Sequence, residues 1–138
     1  MKKIEVNIQS TMAHTLQQKE IISNAREGVE LREARELKEA IGITISQLSK
    51  ILHISERRFH KSDKEEKFST LVSERILELK NLQIYGTEVF GNHDKFLTWL
   101  NTENRSLEGN TPLSFLDTHA GISLVKDKLA AIAHGFPA

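Results

Sequence analysis

Hydrophobic residues recur at intervals of three and four along most of the chain, and this spacing predicts an all-α fold. Pro112 and Pro137 are the only prolines, so no proline interrupts a helix before position 112. Ile4, Val6 and Ile8 give the best strand-like alternation, which is compatible with a short strand or a flexible arm. We expect an arm, because a lone strand has no partner for its backbone.

Capping residues and glycines divide the pattern into segments. Thr44 followed by Gln47 is a capping-box pattern, and Thr111 before Pro112 is a typical helix start. Glycines are expected to end helices in the left-handed conformation at Gly28, Gly42, Gly91 and Gly135. The predicted helices cover about residues 11–26, 29–41, 45–52, 55–61, 69–89, 92–100, 112–116 and 119–134. In the long helix the residues expected to face inward are Leu71, Ile76, Leu79, Leu82 and Val89.

The segment from Thr44 to Phe59 has the pattern of a helix-turn-helix. Leu48 supplies the apolar position of the first helix, and Ser49 the small residue where two helices touch. Ile54 is the apolar turn residue, Ser55 the cap and Phe59 the anchor of the second helix. His53 stands in place of the usual turn glycine, and histidine is among the less unlikely residues for a left-handed conformation.

Local charge favours DNA binding by this segment. The whole chain is neutral, with 19 basic and 19 acidic residues, but residues 50–61 carry four cations against the single anion Glu56. Arg57 and Arg58 are the candidates for guanine edges or phosphates, Lys61 for a phosphate, and the backbone amide of Ser55 for a phosphate. The alternative interpretation is a short helical hairpin with a solvated basic face.

Composition excludes several other classes. With 38% hydrophobic and 28% charged residues the chain is that of an ordinary globular protein, and it has no cysteine for a disulfide or a thiolate. No apolar run approaches the ~20 residues of a membrane span, so we expect a cytoplasmic protein. The six histidines are scattered, and the acid–histidine pairs His93-Asp94 and Asp117/His119 lack a third partner. The sequence therefore predicts no enzyme, no metal and no cofactor.

The carboxy-terminal half contains a specific series of motifs. In chain order they are Phe90-Gly91, Trp99-Leu100, Asn104, Leu107, Gly109, Thr111-Pro112, Leu116, Gly121, Val125, Leu129 and His134-Gly135. This half resembles the toxin-binding domain of the antitoxins called Xre, MbcA and ParS. The resemblance extends back through Ser73-Glu74-Arg75, which matches the S-[DE]-R signature of that family, and covers about residues 20–138. Glu108 and Asn110 depart from the family pattern, as does His53.

The resemblance implies the antitoxin of a type II toxin–antitoxin system. Its partner would be a RES-domain toxin, which is similar to ADP-ribosyltransferases and consumes NAD. The antitoxin would form a homodimer or higher oligomer, repress its own operon by binding operator DNA, and cover the toxin's active site with its C-terminal end. The expected domains are an N-terminal extension at 1–20, a helix-turn-helix domain at 21–67, and the connecting helix with the toxin-binding domain at 68–138.

Most residues of the C-terminal motifs are expected to be structural. Core positions are predicted at Trp99, Leu100, Leu116, Val125, Leu129 and Ile132. The toxin-binding candidates are those expected to remain exposed: Asn104, Arg105, Lys126, His134, Gly135, Phe136, Pro137 and Ala138. Asn104 has a second interpretation, in which its side chain satisfies loop backbone groups. Phe136 either folds back onto the last helix or fills a pocket on the toxin.

An alternative function stays open at this point. The protein would then be a stand-alone helix-turn-helix regulator whose C-terminal half is a dimerisation or effector module.

Overall fold

The computed structural model describes the backbone of residues 2–60 and 65–135, with side chains from residue 12 onward. The predicted all-α class is confirmed, since the described residues form six α-helices and three short 3-10 helices. Within these ranges the only β-type pairings are two isolated bridges, Glu30 with Lys67 and Asn104 with Asn110. No helix of the described part is long and apolar enough to cross a membrane.

Helix α1 covers Lys2–Glu27, so the expectation of a flexible arm before Thr11 is wrong. The segment contains neither proline nor glycine, and nothing therefore stops the helix from extending toward the N-terminus. At the other end Gly28, with a φ of 94°, donates its N–H to the carbonyl of Asn24 and ends α1 as predicted. Ile21 and Ala25 are buried against the rest of the protein.

Helices α2 (Leu31–Ile41) and α3 (Ile45–Leu52) meet at the tight turn made by Gly42, whose φ is 72°. The capping box of α3 is confirmed: Thr44 Oγ1 accepts the N–H of Gln47 at 3.1 Å, and Gln47 Oε1 accepts the N–H of Thr44 at 2.9 Å. His53 ends α3 in the left-handed conformation, with φ 57° and ψ 41°. The substitution of histidine for the turn glycine therefore preserves the turn.

The second helix of the helix-turn-helix is a 3-10 helix, Glu56–His60, rather than a regular α-helix. At the start of this helix the N–H of Arg58 donates to the carbonyl of Ser55 at 3.2 Å. A 3-10 helix is more tightly wound than an α-helix. With only five residues, this segment can offer a small contact surface to a partner.

Helix α4 (Thr70–Phe90) is the element on which the others pack, since α1, α2, α3, α5 and α6 all contact it. Ser69 caps it, and Ile76, Leu79 and Leu82 are buried as predicted. Leu71 was expected to face inward, but 75% of it is exposed because it lies in the first turn, on a side that none of the described residues covers. At Gly86 a Cβ would collide with the ring of Phe96, so the missing side chain allows α5 to approach α4.

The C-terminal part consists of α5 (His93–Leu100), the 3-10 helices Arg105–Leu107 and Pro112–Phe115, and α6 (His119–Ala133). Thr118 caps α6 by accepting the N–H of Gly121 at 2.9 Å. A Cβ on Gly121 would meet the carbonyl oxygen of Phe115, which explains the glycine at this crossing. Four of the six predicted core residues are buried, while Trp99 and Ile132 are half-buried.

Ser73 links α4 to the loop before α2. Its Oγ is buried, accepts the N–H of Val29 at 2.8 Å and donates to the carbonyl of Phe68 at 3.3 Å. The N–H of Val29 lies in the hydrophobic core, where water cannot replace the serine. This hydroxyl therefore satisfies a backbone group on a distant part of the chain.

We predict that Ser73→Ala lowers the free energy of unfolding by about 1–3 kcal/mol, because the buried N–H of Val29 loses its acceptor. Urea unfolding followed by circular dichroism measures the change. Ser123→Ala, at an exposed position of α6, is the matched control and should shift stability by less than about 0.5 kcal/mol. Equal stability of the two variants would contradict the assigned role.

Candidate nucleic-acid and partner interfaces

The segment Glu56–His60 is held firmly by its one apolar residue. Phe59 is 1% exposed, and its ring lies 6.3 Å from that of Phe68. The guanidinium of Arg35, on α2, donates to the carbonyl of Phe59. Sequence reasoning identified Phe59 as the anchor but missed Arg35, because its partner is 24 residues away and no local pattern indicates it.

Arg57 and Arg58, both predicted to contact DNA, occupy different environments. Arg57 is exposed on the outer surface of the 3-10 helix. Arg58 is half-buried, with its Cζ 5.0 Å from the centroid of the Phe68 ring and its Nη2 4.0 Å from Oε1 of Glu66. Such a contact between a guanidinium and an aromatic face is attractive. Arg57 is thus available to a ligand, whereas Arg58 is partly engaged in the fold.

Of the two other DNA-binding candidates, the structure describes Ser55 but not Lys61. Ser55 is exposed just before Arg57, and Lys50 presents a further cation on α3. Lys61 lies outside the described residues. In the described part of residues 50–61, Lys50 and Arg57 are the exposed cations, and Arg58 is half-buried.

The turn of the helix-turn-helix is bonded to the C-terminal half. The carbonyl oxygen of Asp117 lies 2.7 Å from Nε2 of His53 and 2.6 Å from Nη1 of Arg75. A carbonyl oxygen only accepts, so Nε2 of His53 is the protonated nitrogen. Arg75 Nη1 also donates to the carbonyl of Ile51, at 3.3 Å, near the end of α3. The arginine of the Ser73-Glu74-Arg75 motif therefore connects the two halves.

Asn104 was expected to be exposed, and that expectation is wrong: it is 7% exposed. Its Oδ1 accepts from the N–H and the hydroxyl of Ser106, at 2.9 and 2.8 Å. Its carbonyl accepts the N–H groups of Leu107 and Gly109, both at 3.0 Å, and its own N–H donates to the carbonyl of Asn110 at 3.0 Å. Asn104 closes its loop through these bonds, which confirms the structural interpretation.

The remaining toxin-binding candidates lie in separate places. Arg105 is exposed in the loop that Asn104 closes. Lys126 is half-buried on the side of α6 that faces α1, where it lines a cleft. His134 and Gly135 are exposed at the end of α6, and Phe136, Pro137 and Ala138 lie outside the described residues. Among the described residues, no hydrogen bond or ion pair joins Arg105, Lys126 and His134.

One acid–histidine pair is present that the sequence did not indicate. Nδ1 of His119 lies 2.6 Å from Oε2 of Glu78 on α4, whereas the sequence suggested Asp117 as its neighbour. In the part of the chain that the structure describes, no group of three or more His, Asp or Glu side chains could hold a metal ion. The pair links α6 to α4, and both residues line the cleft that Lys126 also lines.

Comparison with known families matches both halves. Residues 20–79 match the antitoxin Xre-like helix-turn-helix domain, and residues 86–135 match the antitoxin Xre/MbcA/ParS C-terminal toxin-binding domain. The chain therefore belongs to the Xre/MbcA/ParS antitoxins, a family that combines a DNA-binding and a toxin-binding domain. No curated protein matched the chain. The predicted boundaries at residues 20 and 67 stay predictions, and α4 runs continuously from one matched region into the other.

We predict that Arg58→Ala lowers the free energy of unfolding by about 0.5–1 kcal/mol, because it removes the guanidinium from the Phe68 ring. Arg57→Ala, one residue away and exposed, should leave stability unchanged. Parallel urea titrations of the two variants test this difference. Loss of stability in Arg57→Ala alone would show that the two roles are reversed.

Proposed function

We propose that this protein is a cytoplasmic antitoxin with two activities. It neutralises a RES-domain toxin, which consumes NAD, and it represses the operon that encodes it. The observation that carries the proposal is the pair of family matches on one chain, a DNA-binding domain followed by a toxin-binding domain. The RES identity of the toxin rests on the resemblance of the C-terminal motifs, and the NAD chemistry belongs to the toxin.

For operator binding, Arg57 is the residue that contacts a base or a phosphate. It is exposed on a segment whose backbone is held by Phe59 and Arg35, so the side chain starts from a fixed position. Arg58 positions that segment through Phe68, Ser55 offers its backbone amide to a phosphate, and Lys61 adds a cation. One element of five residues contacts few base pairs, so useful specificity requires paired half-sites and at least a dimer.

For toxin binding, the proposed contacts are Arg105 and the segment from His134 to Ala138. The described part of this segment, His134 and Gly135, is exposed at the end of α6, where a C-terminal tail can reach a partner's active site. Lys126 contributes less, since it faces the protein's own α1. Asn104 supports Arg105 indirectly by holding the loop from which Arg105 projects.

We predict that Arg57→Ala weakens operator binding by about 1–3 kcal/mol, or about fivefold to over a hundredfold, because the exposed guanidinium is lost. Gel-shift titration at fixed salt with the promoter fragment upstream of the gene measures the affinity. Lys95→Ala, which removes an exposed cation from α5, is the matched control and should bind normally. Equal binding by the Arg57→Ala variant and the unaltered protein would refute the assignment.

We predict that deleting Phe136 to Ala138 restores toxicity when antitoxin and toxin are produced together. In vitro, the truncated protein should leave NAD consumption by the purified toxin uninhibited. Arg105→Ala tests the second proposed contact in the same assay. Copurification of the adjacent gene product, measured separately, shows whether binding persists without the tail. Full protection by the truncated protein would exclude the tail from neutralisation.

A further inference from the structure

Helices α1, α4 and α6 each turn one face toward a common cleft. On each helix the lining residues follow the spacing i, i+3, i+4 and i+7, which places them on one side of the helix. These faces begin at His14 on α1, Glu78 on α4 and His119 on α6. The cleft has a volume of about 590 Å³, within the range of about 300–1,000 Å³ that is typical of small-molecule sites. It is therefore large enough for one small ligand.

The buried part of the cleft lining is apolar, and the accessible part is polar. Ile21, Leu82 and Ile122, one from each helix, are buried. Most of the other lining side chains are polar, although helix faces that lie against one another are ordinarily apolar. The three helices thus leave hydrogen-bonding groups where packing alone would favour hydrophobic ones.

Three carboxamide side chains are among these polar groups: Gln17 and Gln18 on α1, and Asn81 on α4. All three residues are half-buried, and within residues 12–60 and 65–135 no hydrogen bond engages their side chains. A carboxamide presents a donor and an acceptor next to each other, and Asn and Gln use this pair to bind N6 and N7 of adenine. The cleft therefore offers groups that match the edge of such a base.

An aromatic ring lies in the same cleft. Tyr85, the single tyrosine of the chain, is half-buried and lines the cleft together with Leu82 and Ile122. Nucleic-acid bases stack on aromatic side chains, because every base has a π-face. A tyrosine ring and carboxamides in one cleft thus suit a planar ligand with apolar faces and a polar edge.

The charges in the cleft favour a neutral ligand over a phosphate. Glu78 and Asp127 are negative, and Lys126 is positive. Two histidines add positive charge only when protonated, and Nδ1 of one of them, His119, already lies 2.6 Å from Oε2 of Glu78. Phosphates are ordinarily bound by an excess of cations, whereas a carboxylate such as that of Asp127 accepts the hydroxyl groups of a ribose.

We propose that this cleft binds a neutral adenine nucleoside. The base stacks on the ring of Tyr85, and its edge pairs with the carboxamides of Gln17 and Gln18. The carboxylate of Asp127 accepts the hydroxyl groups of the ribose.

Part of this site lies outside the matched families. Gln17 and Gln18 precede residue 20, where the match to the helix-turn-helix domain begins. Neither Arg57 nor Arg105 lines the cleft. The proposal is therefore independent of operator binding and of toxin binding, and its failure would leave the proposed function unchanged.

The first test is calorimetric titration of the full chain with adenosine. The double variant Gln17→Ala with Gln18→Ala should bind about fivefold to over a hundredfold more weakly than the unaltered protein, because paired hydrogen bonds to the base are lost. Asn24→Ala removes an exposed carboxamide of α1 that does not line the cleft, and this matched control should bind normally. Circular dichroism checks that the variants stay helical. Absence of adenosine binding, or equal affinity of the double variant and the unaltered protein, would overturn the proposal.

The second test locates the ligand, and the single tyrosine and single tryptophan of the chain make it direct. With isotope-labelled tyrosine and tryptophan, NMR spectra contain the ring signals of Tyr85 and Trp99 alone. Adenosine should shift the signals of Tyr85 and leave those of Trp99, which does not line the cleft, unchanged. Unshifted Tyr85 signals at saturating adenosine would show that the ligand binds elsewhere and would overturn the assignment of the cleft.

Two related ligands test the chemical class in the same titration. Inosine has an oxygen in place of the N6 amino group, so a carboxamide no longer finds a donor beside N7, and binding should weaken about fivefold or more. AMP adds a phosphate that the charges of the cleft do not favour, and it should bind no more tightly than adenosine. Equal binding of inosine and adenosine, or tighter binding of AMP, would contradict recognition of a neutral adenine nucleoside.

Discussion

Two side chains of α4, Ser73 and Arg75, form the hydrogen bonds that join that helix to the helix-turn-helix domain and to the C-terminal half. The buried hydroxyl of Ser73 accepts the N–H of Val29, which fixes the start of the helix-turn-helix domain. Arg75 donates to the carbonyl of Ile51 in that domain and to the carbonyl of Asp117 in the C-terminal half. Without these bonds the polar backbone groups at the seam would lack partners, and hydrophobic contact alone does not specify one alignment of two helical halves.

The carbonyl of Asp117 connects the helix-turn-helix domain with the C-terminal domain. It accepts from Arg75 and from His53, the residue that makes the turn of the helix-turn-helix. The loop containing Asp117 leads directly into α6, in the toxin-binding domain. The seam therefore holds the turn of the helix-turn-helix and the segment before α6 to one backbone group.

The chain is neutral overall, but positive charge is concentrated in the helix-turn-helix segment. The exposed cations Lys50 and Arg57 lie on α3 and on the 3-10 helix that follows it, whereas Arg58 is held against Phe68. In the sequence, residues 50–61 carry four cations against one anion, and such a local excess attracts a polyanion.

What the sequence by itself determined is local: the caps and stops of the helices, the left-handed turn at His53, the anchor Phe59, and the family of both halves. These depend on hydrogen bonds and spacings within a few residues, which a sequence pattern contains. Tertiary structure decided the burial of Asn104, the exposure of Leu71, the stacking of Arg58 and the bond from Arg75 to Asp117. Most of these depend on which surfaces meet, and the last joins residues 42 positions apart. Helical spacing shows which side of a helix is apolar, but only the packed structure shows which residues are covered, as the exposed Met12 and Leu16 of α1 demonstrate.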